Sequence, residues 1–236
     1  MMLRQIKEDI DVALEKDPAA RNALEVLILY PGVHALIAYR FNHWLWGLGM
    51  KFIARSLSQI ARWITGIEIH PAAIIGKRFF IDHGMGVVIG ETSEVGDNVF
   101  VYQGVTLGGL ATKKGKRHPT ISDDVVIGAG AKVLGPIKIG CNTKIGSGSV
   151  VLQNVPEYST VIGVPGRVVF SGISSEMEDE DGPESFPDPV ARAIECMLDR
   201  LPEMEKEIRQ LKKTLKENGI NDLSSIDETA RKESSG

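Results

Sequence analysis

The side chains best suited to moving protons are five histidines: His34, His43, His70, His83 and His118. His83 lies in the run IDHGMG with Asp82 beside it. His118 closes a glycine-rich basic loop, GGLATKKGKRHPT, that also carries Lys113, Lys114, Lys116 and Arg117. An alcohol hydroxyl is a poor nucleophile at neutral pH, and a positioned imidazole can take its proton as it attacks an acyl carbonyl. A carboxylate on the other ring nitrogen would fix the tautomer and stabilise the imidazolium. Glu68, fifteen residues before His83, is a candidate for that carboxylate. The basic loop suits an anionic ligand, although charged loops are also ordinary surface features. For His34 and His43 a hydrogen-bonded packing role is expected, and His70 in EIHPAA reads as structural.

A repeat is the element that must position these groups. Ile69, Ile75, Ile81 and Val87 are six residues apart. Ile89, Val95, Val101 and Leu107 continue the step after a two-residue phase shift, and Ile121, Ile127, Val133, Ile139, Ile145 and Val151 resume it after the basic loop. Glycine follows the aliphatic residue at Gly76, Gly90, Gly96, Gly108, Gly128, Gly140 and Gly146. A helix cannot hold residues six apart on one face, and this much glycine would cost it about 1 kcal/mol at each position. A three-sided coil accommodates both, with the aliphatic side chain inward and the glycine where the backbone bends. Three hexapeptides close one turn, which gives about five stacked turns of parallel β-helix. His83 and His118 both sit at defects in this repeat, as expected for a site grafted onto a rigid scaffold.

The flanking segments differ in kind. Residues 1–66 read as a helical domain: Leu3, Ile6, Ile10 and Leu14 recur at helical spacing, and Asp17-Pro18 resembles a helix start. Pro31-Gly32 and Gly47-Leu48-Gly49 are expected turns around a buried helix bearing Val33, Leu36, Ile37, Arg40 and Trp44. A last helix, Phe52 to Ile64, should cap at Gly66. The coil is expected over 67–170 and an acidic linker over 171–188. A helix over 189–217 carries a heptad seam, compatible with a coiled coil or with one amphipathic helix, and residues 218–236 read as a disordered tail. A net charge of −4 argues against nucleic acid as the main partner. Two cysteines, Cys141 and Cys196, are too few for a disulfide framework. With no apolar signal core and no sufficient membrane span, a cytoplasmic, membrane-free protein is expected.

The runs EIHPAAIIGKRFFIDHGMGVVIGET, VYQGVTLGG, GKRHPTISDDVVIGAGAKVLG and VIGVPGRVV closely resemble serine O-acetyltransferases. The likeness extends from Asp17 to about Val169. It implies an α+β fold: N-terminal helices, a left-handed parallel β-helix and a C-terminal helix. It further implies acetyl transfer from acetyl-CoA to the L-serine hydroxyl, giving O-acetyl-L-serine for cysteine biosynthesis. By the same resemblance His83 is the general base and Glu68 its carboxylate partner. Asp17 and Asp82 accept from the serine ammonium group, while Arg117 and His118 hold its carboxylate. Gly109, Ala129 and Ser147 line the CoA groove, and Arg167 lies near the CoA phosphates.

Acetyl-CoA is implied as co-substrate, with no tightly bound cofactor or metal, and L-cysteine as feedback inhibitor. Family members are trimers or dimers of trimers. The short helical zone favours a simple trimer here, with a hexamer as the alternative. Relatives that bind O-acetylserine sulfhydrylase do so through a C-terminal isoleucine; this chain ends KESSG, so that complex is not expected. Glu68 also stands where relatives often carry Asp, so its carboxylate reaches one methylene further. Three other readings fit parts of the pattern: an acyltransferase for a sugar or antibiotic hydroxyl, a zinc hydratase using His70, His83 and His118, and a non-catalytic scaffold.

Overall fold

Inward-pointing aliphatic residues set the architecture. In the computed structural model, which describes residues 2–171, short strands from Glu68–Ile69 onward wind into a left-handed parallel β-helix with three flat faces. Face A stacks Ile69, Ile89, Leu107, Val133 and Val151 in register. Face B stacks Ile75, Val95, Ile121 and Ile139, with Val155 bridging to Ile139. Face C stacks Ile81, Val101, Ile127, Ile145 and Val161. None of these side chains is more than 6% exposed. Each coil buries its own apolar residue only because a neighbour covers it, so the repeats are stable together and not singly. The stack closes with an antiparallel pair, Ser159–Ile162 and Arg167–Ser171.

The three edges differ. Between faces B and C the chain turns through left-handed residues at Arg78, Asn98, Asp124, Asn142 and Tyr158. Between faces C and A a ladder of left-handed glycines runs through Gly86, Gly104, Gly130 and Gly148, with His83 and Gly84 also left-handed in the first corner. The edge between A and B has no such ladder and carries the long insertion before Thr120–Ile121. The glycines that follow the inward aliphatic residues do not serve the bends as expected from the repeat. They allow close approach of adjacent coils: a Cβ on Gly128 would lie 2.6 Å from the Ser147 nitrogen.

Four helices precede the coil: α1 (Met2–Lys16), α2 (Ala23–Leu29), α3 (Pro31–Gly47) and α4 (Lys51–Thr65). Asp17-Pro18 does not start a helix. Asn22 caps α2 by accepting from the Glu25 N–H at 2.9 Å, and Asp17 belongs to the preceding turn. Pro31-Gly32 is likewise not a turn: Pro31 is the first residue of α3, and the 76° bend between α2 and α3 falls at Tyr30. Trp44, expected inside, is 54% exposed. α4 ends as expected at Gly66, whose φ of 73° is left-handed.

α3 closes the open end of the coil, where carbonyls of the first turn lack a further coil to bond. Tyr39 donates its hydroxyl to the Ala73 carbonyl at 2.7 Å. Arg40 donates to the carbonyls of Ile75 at 2.8 Å and Gly76 at 2.7 Å. The Arg40 guanidinium also pairs with Asp9 of α1 at 3.3 Å, with both side chains at most 5% exposed. The expected linker, C-terminal helix and tail lie outside the described residues. Removing Arg40 would leave Asp9 and two carbonyls buried without partners. Arg40→Ala is expected to lower the unfolding free energy by about 3–5 kcal/mol in urea titration. Arg4→Ala, which breaks only the exposed pair with Glu8, should cost no more than ~1 kcal/mol.

Candidate active site

Face A is flanked by two clusters of polar side chains, one on each of its edges. The first occupies the C–A edge, where the inward positions Ile81 and Ile89 are eight residues apart instead of six. The extra length builds the Asp82-His83-Gly84 corner, with the Gly84 N–H bonded to the Asp82 carbonyl at 2.6 Å. His83 has a φ of 57°, and it alone among the left-handed non-glycine residues stands off the B–C edge. Its side chain is 76% exposed, with Nε2 3.9 Å from Asp82 Oδ1.

Asp17 reaches the same place from the connector after α1. One of its carboxylate oxygens accepts from the Ala19 N–H at 2.8 Å and the other from the Tyr30 hydroxyl at 2.5 Å. Burial raises the pKa of Asp82, an effect opposed by His83 and reinforced by the negative charge of Asp17. The Tyr30 phenol is pushed up to about 12, first by burial and then by its bond to Asp17. Two neighbouring carboxylates beside an exposed imidazole form a place for a cation that has a proton to lose close by.

Glu68 is paired with arginines in this structure. It sits on face A of the first coil, below the His83 corner, where Gly86 N–H bonds to the Gly66 carbonyl at 2.9 Å. Its carboxylate is held by Arg55 at 3.0 Å and Arg62 at 3.3 Å, both on α4. Among the described residues no hydrogen bond joins it to His83. The cause is local: α4 leads directly into this strand and brings two guanidinium groups over the outward-facing carboxylate.

The second cluster occupies the A–B edge. His118 is 8% exposed, and a Cβ on Gly90 would fall 2.0 Å from its ring. Only glycine leaves room for the imidazole there. His118 Nδ1 accepts the Thr92 N–H at 3.2 Å and lies 2.9 Å from Thr92 Oγ1. A ring nitrogen that accepts a backbone N–H carries no proton, so the neutral ring presents Nε2–H as a donor. Burial, then Arg117, lowers the pKa of His118. Thr92 Oγ1 also accepts the N–H groups of Arg117 at 3.0 Å and His118 at 3.1 Å. Lys116 donates to the Thr92 carbonyl at 2.8 Å and pairs with Glu94 at 2.9 Å. Arg117 pairs with Glu91 at 2.5 Å, which holds the Glu91 carboxyl below its usual range. One contact leaves other guanidinium N–H groups for an anion.

The structure therefore brings Asp17, Asp82 and His83 together, and Arg117 and His118 together, but places the two groups on different edges of one chain. Ala129 and Ser147 share the C–A edge with His83, whereas Gly109 lies beside His118 on the other. Arg167 is exposed just beyond Gly163 and Gly166, at the far end of the C–A edge. His70, His83 and His118 are divided between the two edges, and among the described residues no cluster of three or more His, Cys, Asp or Glu could hold a metal. His34 donates to the Leu27 carbonyl at 2.7 Å and His43 to that of Pro71 at 2.8 Å, in line with packing roles. Tyr30, Glu91 and Thr92 were not singled out by spacing or residue type, and Gly90 only as one of the repeat glycines. Only the Gly-Glu-Thr run ahead of the repeat defect could have pointed to three of them.

His70 Nδ1 accepts the Ala72 N–H at 3.1 Å, its ring meets Trp46 edge-on at 5.2 Å, and burial pushes its pKa down to about 4. The unfolded chain binds this proton near 6.5, the folded chain only near 4. Acid therefore favours the unfolded state, and His118 acts in the same direction. Stability measured by urea is expected to fall as pH goes from about 6.5 to about 4, less steeply in His70→Asn.

A profile of the bacterial transferase hexapeptide (six repeats) family matches residues 118–153. The serine acetyltransferase of Bacillus licheniformis is 56% identical over 92% of this chain and 96% of its own. A soybean serine acetyltransferase solved in complex with serine is 43% identical, with a TM-score of 0.70 over 71% of this chain and 69% of that one. A serine acetyltransferase solved in complex with cysteine is also 43% identical, with a TM-score of 0.71 over 72% and 70%. With this identity along nearly its whole length, and with the three-faced coil it shares with them, the chain belongs to the serine acetyltransferase family and is an acyltransferase.

Proposed function

We propose that acetyl-CoA is the donor and that His83 is the general base acting on the L-serine hydroxyl. As serine Oγ attacks the thioester carbonyl, the imidazole accepts its proton. The tetrahedral intermediate then expels the CoA thiolate, which takes that proton back, leaving O-acetyl-L-serine and CoA. The serine ammonium group sits against Asp17 and Asp82. Its carboxylate is held by Arg117 and by Nε2–H of neutral His118. Glu68 would be the carboxylate partner of that imidazolium only after release from Arg55 and Arg62, which hold it in this structure.

The observation that carries this reading is the edge on which His83 stands. Gly86, Gly104, Gly130 and Gly148 form a ladder of backbone with no side chains, where a Cβ on Gly130 or Gly148 would meet nothing within 4 Å. Coils repeat every ~4.8 Å, so the bare strip runs about 14 Å from beside His83, past Ala129 and Ser147, toward Arg167. An extended thioester arm would lie along it, with its phosphates at the Arg167 end and Gly109 of a neighbouring chain facing it.

The two half-sites lie on opposite edges of face A, so one chain cannot close both on one serine. A homotrimer that sets the C–A edge of one protomer against the A–B edge of the next would form three complete sites. L-cysteine, with the same ammonium and carboxylate groups, would compete for the serine position. The reaction would serve cysteine synthesis in a reducing cytoplasm.

His83→Ala is expected to lose at least ~10²-fold in kcat, followed by CoA release with L-serine. His118→Ala should be similarly impaired through KM. Mixing the two impaired variants after denaturation and refolding should restore activity at limiting serine, because one interface of a hybrid trimer regains both histidines. Absence of restoration in hybrids shown to be trimeric by light scattering would sink the shared site.

A further inference from the structure

Asp17 lies in a short connector with no helical partner for its side chain, yet the reading above asks its carboxylate to hold a fixed position beside Asp82. Its only local support is the Ala19 N–H, two residues away. Among the described residues, the one hydrogen-bond donor to this carboxylate from outside the connector is the Tyr30 hydroxyl, at 2.5 Å.

Tyr30 is itself held from several sides. Its N–H bonds to the Val26 carbonyl at 3.2 Å, ending α2, and its carbonyl accepts from the His34 N–H at 3.2 Å, starting α3. Pro31 follows with its φ restricted by the ring. The aromatic ring packs against the buried cluster of Val12, Val26, Val33, Phe80 and Phe100. Phe80 belongs to the strand Phe80–Ile81 that leads straight into Asp82 and His83. One side chain thus rests on the wall that carries the catalytic corner and bonds to the carboxylate that must face it.

We infer that Tyr30 is a positioning residue for ammonium recognition, fixing the Asp17 carboxylate opposite Asp82 so that the two accept from the substrate amine. This rests on the proposed role of Asp17 and adds to it the group that orients it. The phenol donates and keeps its proton, so its contribution is geometric and does not involve transfer to substrate. A hydrogen bond to a charged carboxylate that fixes one of its two oxygens should matter for serine affinity and leave the acetyl-transfer step alone.

The test is a double-mutant cycle of Tyr30→Phe and Asp17→Asn, read as KM and kcat for L-serine, with melting temperature as a control. Tyr30→Phe is expected to raise KM about tenfold with kcat within roughly twofold of the parent. In the Asp17→Asn background the same substitution should change KM by less than about twofold. Tyr30→Phe leaving KM unchanged, lowering kcat and melting temperature together, or acting equally in both backgrounds would overturn the positioning role alone. If Asp17→Asn itself leaves KM for serine unchanged, the ammonium reading of Asp17 fails, and the inference with it.

Discussion

Stacking in register is the constraint on which this molecule depends. Each coil offers three inward aliphatic side chains, and these are covered only when the next coil repeats the same positions. A chain under that constraint has little freedom along its faces. Extra residues can enter only at the edges, and the two insertions into the six-residue step are the ones that carry His83 and His118. Ile81 to Ile89 holds two residues more than a repeat, and Leu107 to Ile121 holds eight more. Rigid faces and interrupted edges together position chemistry on a scaffold that cannot itself deform.

The same constraint accounts for the glycines. Adjacent coils approach so closely that Gly76, Gly90, Gly128 and Gly140 would each drive a Cβ into the coil above. At Gly90 the occupied space belongs to the His118 ring, so the close approach of coils becomes a seat for a buried imidazole. At Gly104 and Gly130 the left-handed backbone does matter, and these positions of the C–A edge carry no side chain.

Electrostatics divides the two edges of face A. On one, Asp17 and Asp82 put negative charge beside an exposed imidazole. On the other, Arg117 and Lys116 put positive charge beside a buried one, trimmed by Glu91 and Glu94. A zwitterion needs both signs at a short separation, and a single protomer offers them on different edges. The proposed trimer would answer that difficulty by setting one edge of a protomer against the other edge of the next. The helices contribute at the base of the stack. α3 satisfies the first coil's carbonyls through Tyr39 and Arg40, α4 holds Glu68, and the turn after α1 delivers Asp17.

The coil was legible in the amino-acid order because its periodicity is a direct consequence of inward packing. Every aliphatic residue of the six-residue step proved buried, and the two insertions are where His83 and His118 stand. Helix ends marked by one chemical signal, such as Gly66, were also legible. Asp17-Pro18 and Pro31-Gly32 misled because each dipeptide suits several backbone conformations, and distant contacts chose between them. The partners of the polar side chains could not be read at all. A separation of fifteen positions puts Glu68 and His83 on neighbouring rungs, but the rotamer of Glu68 is decided by Arg55 and Arg62 on a helix that only tertiary packing brings there. Hydrophobic burial repeats with the chain and so is written along it. Hydrogen bonds and ion pairs depend on directions and distances of an ångström or less between segments far apart in sequence, and those exist only once the chain has folded.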